Sequence, residues 1–324
     1  MDRREFLKTS AVAAGSGIFL DKLAFGMGKA IKDTDIKRTI PKRPLGKTGR
    51  ELSIIGFGGI VVMNAEPIQA KLVVAHAFER GINYFDVAPS YGDAEIKLGP
   101  ALKPYRDRVF LACKTGRRDK AGAKEELDNS LKNLQTDHFD LYQLHGLIDV
   151  EKDVKAALSK DGAIQTFIEA RKAGIIRFIG FSAHSPQAAL TAMREFDFDT
   201  ILYPINFCTH FQSKFEVEVL AEARKRNMGI LALKAMAKQK WLDEQSPQRK
   251  AYQKCWYEPI DDPELARLAL SWTLSQSITA ALPPGEEKLF RMAMDLAPIC
   301  KKITASQITQ LETVAKSLQP ILSA

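Results

Sequence analysis

The chain has 324 residues, 45% of them apolar and 27% charged, an ordinary globular composition with enough hydrophobic material for one large core or two smaller ones. Its formal net charge of +8 is modest for this length, and no Lys/Arg run is interleaved with aromatics, so nucleic-acid binding is set aside. The four cysteines, Cys113, Cys208, Cys255 and Cys300, show neither a CxxC pair nor a metal-ligand spacing. They read as buried free thiols, and no metal site is expected.

At the N-terminus, Arg3-Arg4-Glu5-Phe6-Leu7-Lys8 precedes Thr9–Leu20, a short Ala/Gly-rich apolar stretch. Paired arginines followed by Phe-Leu-Lys and a weak apolar region resemble a twin-arginine export signal, which implies the twin-arginine machinery as a partner and a periplasmic location. The stretch is too short to span a bilayer as a stable anchor. Asp2 and the missing A-x-A site depart from the pattern, and a basic amphipathic arm is the structural alternative. Residues 21 to about 38 are charged and aperiodic and read as a linker, so 1–38 form a leader and 39–324 the folded unit.

Arg43 to Leu52 carries Gly46-Lys47-Thr48-Gly49 between apolar flanks, a β-hairpin signal. From there strand and helix patterns alternate. The strands are Ser53–Gly58, Ile82–Asp86, Val109–Lys114, Leu141–His145, Arg177–Ser182, Ile201–Asn206, Gly229–Ala235 and Thr279–Pro283. Helical spacing follows each, including Ala70–Arg80, Glu125–Leu134 and Phe215–Arg226. Such an alternation favours an α/β fold of the closed (β/α)8 barrel type, with an N-terminal hairpin and an extra C-terminal helix, Ala305–Leu318. The competing open doubly wound sheet lacks its phosphate loop, because Gly56-Phe57-Gly58-Gly59 does not have G-x-G-x-x-G spacing. Two connections, Gly146–Ala163 and Met236–Asp261, are longer than barrel loops need. The second holds Trp241, Trp256 and Tyr257 and is expected to form an ordered lid.

The chemistry gathers at strand ends. Asn83-Tyr84-Phe85-Asp86-Val87-Ala88-Pro89-Ser90-Tyr91-Gly92 closes one strand in a polar turn with an acid and a phenol. The next two strands end in Lys114 and His145. An Asp and a Tyr, then a Lys, then a His from consecutive strand termini resemble the tetrad of the aldo/keto reductase family. The resemblance covers roughly residues 40 to 296. It implies hydride transfer from NADP or NAD to a small-molecule aldehyde or ketone, with Tyr91 as general acid. Lys114 is expected to lower the Tyr91 pKa, Asp86 to keep Lys114 charged, and His145 to orient the carbonyl. A purely structural ion pair capped by Tyr and His is the plain alternative.

The cofactor candidates that the resemblance implies are Gly58, Gly59, Ser182, Asn206, Lys234, Gly285, Lys288 and Arg291. The surrounding shell departs from the family pattern. Ala183 stands for the usual Asn, Leu233 for a stacking Tyr, and Glu286-Glu287 sit where a 2′-phosphate would bind, which favours NAD or weakens selectivity. These departures motivate a second possibility, a catalytically weak nucleotide-binding barrel that senses redox state or binds a partner.

Overall fold

The structure, a computed structural model, describes residues 39–323. The leader and linker expectations for residues 1–38 lie outside the described residues. The strands are β1 (Lys42–Pro44), β2 (Glu51–Ser53), β3 (Phe57–Gly58), β4 (Tyr84–Asp86), β5 (Phe110–Thr115), β6 (Phe139–Leu147), β7 (Ile176–Ala183), β8 (Thr200–Pro204), β9 (Gly229–Leu233), β10 (Ala237–Gln239), β11 (Glu258–Pro259) and β12 (Ala280–Ala281).

Eight of them run parallel in the order β12-β9-β8-β7-β6-β5-β4-β3. The ends of that sheet meet. Ile55 bridges Ala281, with Ala281 N donating to Ile54 O at 2.9 Å and Gly56 N to Ala281 O at 3.0 Å. The sheet is therefore a closed (β/α)8 barrel with helices outside it.

The hairpin β1–β2 closes the bottom. Leu45 and Leu52 are fully buried and join Tyr84, Leu141, Leu202, Leu231 and Leu282 in one interior cluster. Gly46 lies so close to the chain below it that a Cβ would stand 2.3 Å from Gly229 N, and its φ of +47° is one that glycine adopts at little cost. The single strand expected over Ser53–Gly58 is divided. Asn83 takes Ser53 N on its Oδ1 at 2.7 Å and gives Nδ2 to Glu51 O at 2.9 Å, pinning the hairpin before the barrel strand starts.

Other boundaries shift for local reasons. The helix Lys120–Asn133 starts before the expected Glu125 because the Asp119 side chain caps it through Gly122 N. A helix that the sequence reading missed, Phe207–Ser213, is capped by Asn206. The C-terminal helix ends at Ala315 rather than Leu318, where Gln212 Nε2 binds the carbonyls of Ala315 and Leu318 at 2.6 and 2.7 Å. Among the described residues no helix is long and apolar enough to cross a membrane.

Candidate active site

Side chains alternate along a strand, so every second residue of β4, β5 and β6 points into the barrel. Tyr84 and Leu141 belong to the interior cluster, and the next inward positions above them are Asp86 and Gln143. Lys114 and His145 complete that upper layer. Lys114 Nζ makes a short ion pair with Asp86 and also donates to Val87 O at 3.1 Å. The other Asp86 oxygen accepts from Tyr84 OH and from Gln143 Nε2, both at 3.1 Å. A fully buried carboxylate thus has three donors, which is what an interior charge requires.

Tyr91 enters from the turn after β4. Its N–H donates to Ala88 O at 3.0 Å, its carbonyl accepts from Ala94 N at 3.1 Å, and Gly92 beside it takes a φ of +57°. The ring stands 5.8 Å from the His145 ring, nearly perpendicular to it, and its centroid is 5.1 Å from Lys114 Nζ. The four residues expected from the sequence are brought together.

Burial and charge set their protonation. Burial pulls the Lys114 ammonium down, but Asp86 and then Tyr91 carry it above its ordinary value. His145 is pushed down to about 3, first by burial and then by the Lys114 charge, so it is a neutral imidazole at working pH. The expected lowering of the Tyr91 pKa does not hold in the free protein. Burial raises it, and the opposing pull of Lys114 is partly cancelled by Asp86. The resting phenol keeps its proton.

His145 is also held from behind. Arg118 Nη2 donates to His145 O at 2.8 Å while its Nε pairs with Asp153 at 3.0 Å. Asp153 in turn accepts the backbone N–H groups of Ile148 and Asp149. The long connection after β6 is thus an ordered buttress, with a turn of π-helix at Val150–Lys155.

Above these side chains lies a cavity of about 210 Å³, lined also by His184, Leu233, Lys234, Lys254, Trp256 and Tyr257. The Met236–Asp261 connection covers it through the antiparallel pair β10–β11, and Trp241 Nε1 braces the connection internally by donating to Cys255 O at 2.9 Å. A second cavity of about 520 Å³ is lined by Gln69, Lys250, Lys254, Glu286 and Glu287 among others, and Lys254 belongs to both.

Residues 55–316 match the aldo/keto reductase family. The chain belongs to that family. It is 27% identical over 307 residues to the uncharacterized oxidoreductase YqkF of Bacillus subtilis, covering 85% of this chain and 96% of that one. It is 32% identical over 209 residues to the aldo-keto reductase YhdN of the same organism, covering 58% and 59% of the two chains. Among solved structures, the holo form of the aldo-keto reductase AKR11C1 from Bacillus halodurans superposes with a TM-score of 0.67 at 24% identity, covering 86% of this chain and 98% of that one. This aldo/keto reductase is accordingly an oxidoreductase.

The residues expected to hold cofactor fare unequally. Gly58, Ser182, Lys234 and Gly285 line the main cavity. At Gly58 a Cβ would meet nothing within 4 Å, so its backbone is open to close approach. Ser182 Oγ accepts from Gly146 N at 2.8 Å and keeps its hydroxyl proton for another acceptor.

The other four candidates do not line the main cavity. Gly59 packs under Val87, where a Cβ would stand 2.7 Å from a methyl, and is a packing glycine. Asn206 is fully buried and committed. Its Nδ2 donates to Lys234 O and Ala237 O, and its Oδ1 accepts from Cys208 N and Thr209 N. Lys288 is exposed and lies outside both cavities, and Arg291 is engaged by Glu287 at 2.8 Å. Tyr84, Gln143, Arg118 and Lys254 were missed; only the strand parity of Tyr84 and Gln143 could have flagged them. Among the described residues no three metal-ligating side chains gather.

Proposed function

We propose that this aldo/keto reductase reduces the carbonyl of a small aldehyde or ketone with a nicotinamide cofactor, and that Tyr91 is the proton donor. The observation that carries the reading is the Tyr91 ring set against the buried Lys114–Asp86 pair and beside His145, at the open end of a closed barrel. The bound cofactor supplies a hydride to the carbonyl carbon. Negative charge then develops on the carbonyl oxygen, which needs a donor aimed at it. Tyr91 gives up its proton there, and the Lys114 ammonium favours the phenolate that remains. Neutral His145 donates a hydrogen bond without itself losing a proton. Asp86 keeps Lys114 charged in a dry setting where an unpaired amine would be neutral.

The chain's residues fit a dinucleotide. The two cavities offer separate places for its two ends, and Lys254, common to both, would take the diphosphate between them. Lys254 Nζ donates to Val61 O at 2.9 Å and has no carboxylate partner among the described residues, so its charge is available to an anion. Glu286 and Glu287 face the second cavity, which suits a ribose 2′-hydroxyl better than a 2′-phosphate and supports NADH.

The test is equilibrium titration of the purified protein with NADH and NADPH, followed by oxidation of the bound nucleotide with a panel of aldehydes and ketones. Micromolar binding with carbonyl-dependent oxidation is expected. Binding without turnover on any carbonyl would replace this reading with the sensing barrel, and absence of binding would remove both. Arg3-Arg4-Glu5-Phe6-Leu7-Lys8 and the short apolar stretch after it support export of the folded protein by the twin-arginine route. Fractionation with and without Arg3→Lys/Arg4→Lys tests it, and periplasmic protein unaffected by the pair would contradict it.

A further inference from the structure

The site contains a charge that the Tyr91–Lys114–Asp86 proton-donating group does not engage. Lys234 stands just past the end of β9 in a left-handed conformation, φ +68°, uncommon for a side-chain-bearing residue. That backbone is fixed in place: Lys234 O accepts from Asn206 Nδ2 at 3.0 Å and from Ala237 N at 3.0 Å. A conformation that the surroundings enforce at a ligand cavity is a sign of a functional position. The side chain lies between two rings of the covering segment. Its Nζ is 4.7 Å from the centroids of both Trp256 and Tyr257, whose planes are almost perpendicular at 88°.

The rings favour a cation on one side, but they accept no ordinary hydrogen bond. Among the described residues no carboxylate, carbonyl or hydroxyl accepts from Lys234 Nζ, and the nearest acid of the cavity, Asp86, is taken by Lys114. Its N–H groups therefore face the cavity that Tyr91 and His145 also line. The charge is felt across that space, because it adds to the downward pressure on the pKa of both His184 and His145. Lys254, the other amine lining this cavity, already donates to Val61 O and also lines the second cavity.

We propose that Lys234, caged by Trp256 and Tyr257, is the anchor for an anionic group on the substrate, so that the reductase acts on compact carbonyl compounds carrying a carboxylate. The proposal rests on the carbonyl-reductase reading for the reacting end of the substrate and adds what recognises the other end. A carboxylate on Lys234 supplies the acceptors that the protein leaves out and holds the carbonyl in the same cavity as Tyr91. The Lys234 pKa, drawn down to about 8 by burial, accords with an ammonium awaiting a counter-charge. A cofactor diphosphate is the other source of anionic oxygen, and the test separates the two.

Benzoate is titrated into the full-length protein at pH 7, reading Trp fluorescence, since Trp256 covers the amine. This measurement needs no turnover, so it stands whether or not hydride transfer is found. Saturable quenching is expected, weakened about tenfold or more in Lys234→Met and largely kept in Lys234→Arg, as for loss of a charge-assisted contact. Melting of Lys234→Met at or above the wild-type temperature is expected too, because the substitution removes a partly buried amine that has no hydrogen-bond acceptor among the described residues. In turnover, 4-carboxybenzaldehyde should lose at least tenfold more kcat/KM than its methyl ester, methyl 4-formylbenzoate, on Lys234→Met. Equal benzoate binding by wild type and Lys234→Met would overturn the proposal. So would no benzoate binding at all, or loss of nucleotide affinity in Lys234→Met with the two aldehydes equally affected, which would assign the amine to the cofactor.

Discussion

Lys114 and Asp86 form a fully buried ion pair beneath Tyr91, and among the described residues Asp86 has two other side-chain donors, Tyr84 OH and Gln143 Nε2, each at 3.1 Å. The pair holds the barrel's upper layer together and also sets the charge next to the phenol. Stability and chemistry are therefore coupled through Lys114.

Lys114→Met should show both effects. The Asp86 carboxylate would be left buried without a counter-ion, costing about 3–5 kcal/mol of stability. Thermal unfolding should move down by several degrees and carbonyl reduction should fall steeply. Lys114→Met/Asp86→Leu, which removes both charges, should recover much of the lost stability and none of the rate. A Lys114→Met single variant as stable as wild type would mean that the pair is weaker than its geometry suggests.

Acid should destabilise the fold through two histidines. In the unfolded chain a His takes its proton near pH 6.5, whereas burial holds His145 down to about 3 and burial with Lys234 holds His184 down to about 4. Between those values the unfolded chain binds more protons than the folded one. Stability therefore rises with pH across that window and is lost as pH falls from about 6.5 towards 4. Melting temperatures of wild type and His184→Asn from pH 7 to pH 4.5 check this. The variant should show the shallower decline, and identical slopes would contradict the burial argument.

The second cavity gives a cofactor prediction. Glu287 takes both Gln69 Nε2 contacts at 2.9 Å and the Arg291 guanidinium at 2.8 Å, so Arg291 is neutralised from within the protein. NADH should bind more tightly than NADPH. Glu287→Ser removes one repelling charge and frees Arg291, and should improve the affinity for NADPH relative to NADH by about tenfold, as for one charge-assisted contact. Calorimetric titration of both nucleotides into both proteins decides it; an unchanged ratio would place the 2′-position away from Glu287.

Much of this was legible in the sequence, because eight apolar runs of strand length alternating with helical patterns leave few other folds. The tetrad was legible for the same reason: Asp86, Lys114 and His145 stand at or near the C-terminal ends of consecutive strands, and Tyr91 in the turn after the first of them. The supporting residues were not. Tyr84 and Gln143 look like ordinary core positions until the closed barrel turns them towards Asp86. Asn206 was expected at the cofactor from the family resemblance, yet its four side-chain hydrogen bonds make it the cap of a short helix and the clamp on Lys234. Trp256 was expected in a covering connection, but Lys254 comes to the site only through the path of that connection, which no local periodicity encodes. The sign of the Tyr91 shift also escaped, since the distance to Lys114 is a matter of pairwise charge but burial is a property of the whole barrel.

The most direct test of the central claim is the steady-state rate of Tyr91→Phe on the best carbonyl substrate, together with its nucleotide affinity. The substitution removes one hydroxyl and keeps the ring against His145 and Lys114, so folding and nucleotide binding should match wild type. Turnover should drop by about 10²–10⁴-fold, as for loss of a general acid. A Tyr91→Phe protein that binds nucleotide normally and retains more than roughly a tenth of the wild-type rate would show that the proton comes from elsewhere.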